Sequence, residues 1–199
     1  MQQNQLRTLP ADIQYAHYLT EVDASANTAL DVAAFSGQIK NLGIRSLSLN
    51  ECNLLYLPVE FAALKQLQRL SLSDNYISAI SEDYTANPRL SYLDLSNNRI
   101  KALPASFAEF TALNYLNLSQ NPLLDNTKSY AVLAQLPALH TLVMCSAGAL
   151  DPVIFSSVSL RQLDISNSTF TKVDIEKGAE FHLEKLIASN CNNFDFNFF

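Results

Sequence analysis

The stretch LSYLDLSNNRI, Leu90 to Ile100, holds apolar residues in its first, fourth, sixth and eleventh slots and an Asn in its ninth. The same pattern returns at one spacing on either side, as LQRLSLSDNYI from Leu67 to Ile77 and as LNYLNLSQNPL from Leu113 to Leu123. A fixed period held over three copies marks a repeat array. The LxL centre alternates apolar and polar side chains, as a strand with one buried face does. One copy has nothing to bury that face against, so copies must stack into a continuous core. The ninth-slot residues Asn75, Asn98 and Asn121 sit where the chain leaves the strand. A buried amide there can both donate to and accept from backbone groups that the turn leaves unpaired.

Working outward, IRSLSLNECNL from Ile44 keeps the period, and LTEVDASANTA, Leu19 to Ala29, is a degenerate copy with Asn27 in the ninth slot. Beyond Leu123 the copies LHTLVMCSAGA (from Leu139), LRQLDISNSTF (from Leu160) and LEKLIASNCNN (from Leu183) are unevenly spaced. Cys52, Ala147, Ser168 and Cys191 replace the Asn, so the ladder weakens towards the C-terminus. The array is regular over 44–123 and irregular over 124–199. Between strands, LPVEFAAL (Leu57 to Leu64) and LPASFAEF (Leu103 to Phe110) combine a turn-setting Pro with a core Phe; Ile80 and Tyr84 fill these slots in the copy between them. Short helices and turns are expected here, with longer helices over Asp31 to Gly37 and over Ser129 to Leu136, the latter ended by Pro137. NQLRTLPADI, Asn4 to Ile13, repeats the second half of a copy. Residues 1–18 are expected to form a half repeat, or a cap with a helix over Ala11 to Leu19. The chain closes on FDFNFF, Phe194 to Phe199, either a capping strand or a sticky exposed edge.

These strings resemble the leucine-rich repeat family. The resemblance implies an α/β fold, a curved solenoid of about eight coils over 19–199, with a parallel β-sheet on its concave face and short helices and turns on its convex face. It also implies that partners bind the concave face, onto which the second, third, fifth, seventh and eighth slots project. The third slot reads Glu21, Ser46, Arg69, Tyr92, Tyr115, Thr141, Gln162, Lys185. Adjacent entries should lie about 5 Å apart. Tyr92 and Tyr115 are then neighbours, flanked by Arg69 on one side and by the fifth-slot residues Asp94 and Asn117. Aromatics beside an Arg are the residue types that dominate interface energies. A cross-strand pair that merely stabilises the face is the plainer reading. The eighth slot sets Glu51 next to Asp74 and, with Glu21 and Asp23, makes the N-terminal half of the face acidic, suited to a basic peptide or simply to solvent. The seventh slot is nearly all Ser and reads as structural.

Composition narrows the function. A formal charge of −6 with only 13 Lys and Arg disfavours nucleic acid and anionic membranes as partners. Four Gly argue against phosphate-cradling loops, and no span is apolar enough for a membrane helix. MQQNQLRTLP lacks the apolar core of an export signal. No disulfide is expected between coils as distant as those of Cys52 and Cys191, which favours a reducing compartment. Similarity to bacterial members leaves delivery into a host cell as an alternative. Catalysis is not expected: His17, His140 and His182 are scattered, and His140 lies roughly 16 Å along the strand from Cys145 at about 3.3 Å per residue. No cofactor is expected, and Glu51 with Asp74 gives too few ligands for calcium. The reading is a non-enzymatic module that binds a protein partner. The alternative is the substrate-recognition part of a larger enzyme or bacterial effector. A monomer is expected, or a dimer paired through the FDFNFF edge.

Overall fold

The computed structural model describes residues 5–84, 87–121, 127–146, 151–168 and 182–191. Among these, eight three-residue strands form one open parallel sheet in chain order: β1 (Glu21–Asp23), β2 (Ser46–Ser48), β3 (Arg69–Ser71), β4 (Tyr92–Asp94), β5 (Tyr115–Asn117), β6 (Thr141–Val143), β7 (Gln162–Asp164) and β8 (Lys185–Ile187). Each strand is a third, fourth and fifth slot. The register pairs third slot with third slot through the whole sheet, from Glu21 with Ser46 to Gln162 with Lys185. Parallel sheets are usually covered on both faces. Here each coil returns to the same side, so only the fourth-slot side is covered and the third and fifth slots stay open.

The core is the stack of Leu47, Leu70, Leu93, Leu116, Leu142 and Leu163, each at most 1% exposed. Behind it lie the sixth-slot Leu49, Leu72, Leu95 and Leu118, and then the Phe61 and Phe107 of the return segments. Those segments are short 3-10 turns at Val59–Ala63, Ala105–Glu109 and Pro152–Ser156, two of them opened by Pro58 and Pro104. A 3-10 turn is narrow and suits a short return. Tyr84 replaces the Phe in its coil and is buried; its hydroxyl donates to Asn87 Oδ1 at 2.7 Å, and the Asn87 amide reaches back to the Phe61 and Leu64 carbonyls.

The ninth slot is a hydrogen-bonded ladder. Asn75 Nδ2 donates to the Leu49 and Leu72 carbonyls, Asn98 Nδ2 to those of Leu72 and Leu95, and Asn121 Nδ2 to those of Leu95 and Leu118. Each sixth-slot carbonyl of Leu72 and Leu95 therefore serves two amides. The Oδ1 atoms accept from the N–H of Leu54, Ile77 and Ile100 in the preceding coil. The Leu6 N–H makes the same bond to Asn27 Oδ1 at 2.8 Å. Cys52 and Cys191 keep the donor half of the role: Cys52 Sγ donates to Ala24 O and Asn50 O, and Cys191 Sγ to Ile165 O. Cys52 lacks an acceptor for the preceding coil, where Leu30 N–H bonds instead to Asn27 O at 3.1 Å. Ser168 Oγ likewise donates to Met144 O.

Three boundaries differ from expectation. The helix expected over Ala11 to Leu19 is a single 3-10 turn, Ala11–Tyr15, closed by Ala16 N–H on Ile13 O. Leu9-Pro10 precedes it as Leu57-Pro58 precedes the turn at Val59, and the same local sequence gives the same turn. Helix α1 is Val32–Ile39, with Asp31 outside it as the N-cap, accepting from Ala34 N–H at 3.0 Å. Helix α2 is Thr127–Ala134 and ends before Pro137, through the tighter bonds of Gln135 to Val132 and Leu136 to Leu133. FDFNFF and the Ala147 slot lie outside the described residues.

Candidate functional site

The open face is built by the strand register, which carries the expected third-slot row into space. The Tyr92 and Tyr115 rings stack with centroids 4.5 Å apart and planes 4° from parallel. The Arg69 guanidinium carbon lies 3.9 Å from the Tyr92 centroid. The result is a three-membered stack along the sheet, Arg69 on Tyr92 on Tyr115, with both rings half-buried. The ring spacing nearly equals the strand spacing, so two adjacent third slots are enough to impose it. Burial first, and then the Asp94 carboxylate, push the Tyr92 hydroxyl up against the pull of Arg69. Burial, then Tyr92, then Asp94 and Asp164 do the same to Tyr115. Both phenols are neutral at physiological pH.

Asp94 and Asn117 stand beside this stack but have a local task as well. Asp94 Oδ1 accepts from Ser96 N–H at 2.9 Å and from Ser96 Oγ, and Asn117 Oδ1 accepts from Ser119 N–H at 3.0 Å. Asn117 Nδ2 reaches Asp94 Oδ2 at 3.4 Å. Asp23 and Asp164 hold the seventh-slot N–H of Ser25 and Ser166 in the same way. Where the fifth slot is Ser, Val or Ile, the N–H turns to the seventh-slot side chain of the preceding coil. Asn50 donates to Ser25 Oγ, Ser73 to Asn50 Oδ1, Cys145 to Ser119 Oγ, and Ser189 to Ser166 Oγ. Every seventh-slot N–H among the eight described coils thus has one of two acceptors. The expected structural role of the Ser column has this form, and the fifth slot shares it.

Glu51 and Asp74 lie at the strand ends in left-handed backbone, φ 56° and 57°. Every eighth-slot residue from Ala26 to Asn190 does so. Both side chains are exposed, and Asp74 Oδ1 accepts from Asn97 Nδ2 of the next coil. They belong to the rim of the open face rather than to its centre.

Groups that catalysis would need are not brought together among the described residues. His140 Nδ1 contacts the Ala138 carbonyl at 2.8 Å, an exposed local contact. Burial, then a hydrogen bond to Asp164, pushes the Cys145 thiol up, which keeps it protonated and poorly nucleophilic. No group of three or more His, Cys, Asp or Glu that could hold a metal occurs there, and no helix among them is long and apolar enough to cross a membrane.

A stack of parallel coils with one ladder residue each defines a repeat solenoid with an open face. Residues 65–123 match the family model described as leucine rich repeat. Solved structures of the same fold include internalin C2 of Listeria monocytogenes, at TM-score 0.71 and 22% identity over 94% of this chain and 78% of that one. A complex of TLR13 with the RNA ssRNA13 gives TM-score 0.69 and 24% identity over 94% of this chain. A leucine-rich repeat protein of Leptospira interrogans gives 0.65 and 20% over 96% of this chain and 54% of that one. The chain spans 33% of the TLR13 chain and 52% of the internalin F of Listeria monocytogenes. No curated protein matches it by sequence. Residues 65–123 are thus leucine-rich repeats by sequence, and the described coils share the leucine-rich repeat fold, one that commonly serves as a protein interaction module.

Proposed function

We propose that this protein is a non-enzymatic interaction module that binds a protein partner across its concave face, centred on Arg69, Tyr92, Asp94 and Tyr115, with Asn117, Glu51 and Asp74 around them. The observation that carries the reading is the half-exposed Arg69–Tyr92–Tyr115 stack in the middle of the sheet. It is preorganised by neighbouring strands, so little conformational freedom is lost when a partner covers it. Large amphipathic rings beside an Arg provide the contact area typical of interface hot spots. The TLR13 structure holds a single-stranded RNA. Here the net charge of −6 and the carboxylates of Glu21, Asp23, Asp94 and Asp164 on the same face favour a protein over a phosphate backbone. If the chain is the recognition part of a larger enzyme or effector, the same face would select the substrate.

The test is affinity capture from lysate with the wild type and with Tyr92→Ala/Tyr115→Ala, followed by calorimetric titration of each captured protein. Loss of affinity by at least about tenfold in the variant is expected for a site with two hot-spot residues. Equal affinity for both proteins overturns the concave centre as the site.

A further inference from the structure

The aromatic stack has two ends, and they are not alike. On the β3 side the outer face of Tyr92 carries the Arg69 guanidinium. On the β6 side Tyr115 is in register with Thr141, and Thr141 with Gln162. The fifth-slot neighbour there is Val143, between Asn117 and Asp164. Thr141 and Val143 are half-buried and short, so they floor a notch rather than cover the ring. Its walls are Tyr115 on one side and Gln162 with Asp164 on the other. Two strand spacings make this notch roughly 9–10 Å across, centre to centre. A flat group in van der Waals contact on both sides needs about 7–8 Å. One planar group fits, and a second does not.

The charges around the notch favour a cation. Asp94 lies one strand before Tyr115 and Asp164 lies in the far wall. The Asp164 carboxyl is pushed up by burial, but hydrogen bonds from Ser166 and Cys145 and the charge of Lys185 outweigh that and hold it below the usual carboxylate range. It is ionised at neutral pH. Of the nearby cations, Arg161 turns away to the Val158 and Leu160 carbonyls and to Glu184, while Lys185 acts on Asp164 from the next strand, β8, on the side away from the notch. His140 at the strand start is held by its Ala138 contact.

From this geometry we infer that the notch over Thr141 and Val143 receives an arginine side chain of the protein partner, stacked on the outer face of Tyr115 as Arg69 stacks on Tyr92 and paired with Asp164. The inference rests on the concave-face reading above. A guanidinium is flat, delocalised and weakly hydrated, and so stacks on an aromatic ring better than a compact ammonium does. A neutral ring would fill the space without using Asp164.

The probe is the blocked peptide acetyl-Gly-Gly-Arg-Gly-Gly-amide, titrated at low salt into the isotopically labelled full chain and followed by NMR. Counterparts carrying lysine or the uncharged citrulline serve as controls. The arginine peptide is expected to shift the amides of Tyr115, Thr141 and Val143, with the lysine peptide about threefold or more weaker and the citrulline peptide silent. Thr141→Phe, which fills the notch and leaves the stack in place, should abolish the shifts. Asp164→Asn, which fills nothing, should weaken them and guards against misfolding of the first variant. Equal shifts with citrulline, shifts that map elsewhere, or shifts that persist in both variants overturn the inference. Partner capture separates it from the broader reading. A partner lost from the double tyrosine variant but kept by Thr141→Phe retires the notch and retains the face. A partner kept by both retires the face and the notch together.

Discussion

The Ser119 hydroxyl accepts a hydrogen bond from the backbone N–H of Cys145, one coil further on, at 3.1 Å. In the coil of Ser119 itself, the corresponding N–H goes to Asn117. The difference follows from Val143, which stands in the slot of Asn117 and has no acceptor. Ser119→Ala should therefore strand the Cys145 N–H and cost about 1–2 kcal/mol. Adding Val143→Asp should restore most of that loss by supplying the in-coil acceptor that Asp94 and Asp164 supply elsewhere. Urea denaturation of the two single variants and the double variant measures the coupling. Purely additive effects would show that the two acceptors do not substitute for one another.

The fixed period made the strands, their register and the neighbours Tyr92 and Tyr115 legible in the sequence, because a parallel stack leaves no freedom once the slots are aligned. What escaped was local geometry that several residue types satisfy equally. The eighth slot holds Ala26, Glu51, Asp74, Asn97, Gln120, Ser146, Asn167 and Asn190, all in left-handed backbone. Three Asn and Asp74 are the compositional signal, since Asn and Asp are enriched among non-Gly residues in that conformation. The exchange between fifth and seventh slots was written in the alternation of Asp or Asn with Ser, Val or Ile, but only the hydrogen bonds give it meaning. The short turn at Ala11 follows Leu9-Pro10 as the turns at Val59 and Ala105 follow Leu57-Pro58 and Leu103-Pro104, so the signal for a turn in place of the expected helix was present in the sequence.

Asn98 and Cys52 occupy the same slot with unequal bonding. Asn98 accepts from the Ile77 N–H and donates to three carbonyls, those of Leu72, Leu95 and Ser96. Asn98→Ala leaves the buried Ile77 N–H without a partner and removes one of two donors from Leu72 and Leu95. A loss of about 3 kcal/mol is expected. Cys52→Ala removes only two long thiol contacts at 3.4 Å and should cost about 1 kcal/mol. Comparable losses in chemical denaturation would mean that the acceptor half of the ladder contributes little.

Burial pushes the Tyr84 hydroxyl far above the ordinary phenol value. Its folded pKa is raised, so its contribution is complete below the unfolded value of about 10 and is lost as pH rises beyond it. Stability should fall by about 1.4 kcal/mol per pH unit there from this group. Tyr84→Phe removes the bond to Asn87 and should cost about 1 kcal/mol at neutral pH. It should also flatten the alkaline slope, so the two stability profiles cross near pH 11, roughly one unit above the onset. Parallel profiles for the two proteins would rule out Tyr84 as the source of alkaline sensitivity.

The Arg69–Tyr92–Tyr115 stack lends itself to separating a structural pair from a binding site, because the two roles respond to different measurements. Stacked rings contribute about 0.5–1.5 kcal/mol beyond their area. A double-mutant cycle of Tyr92→Leu and Tyr115→Leu, read by denaturation, should return a coupling in that range whichever role is correct. Arg69→Met keeps the stem of the side chain but removes the charge over Tyr92, and should cost about 0.5–1 kcal/mol because Arg69 is exposed. Affinity for the captured partner is the discriminating quantity. If the stack is an interface, each leucine variant weakens binding by at least about 1 kcal/mol at temperatures where the variant is fully folded. If it only braces the sheet, stability falls by the same amounts while affinity stays at the wild-type value, and the partner must then be sought on another face of the solenoid.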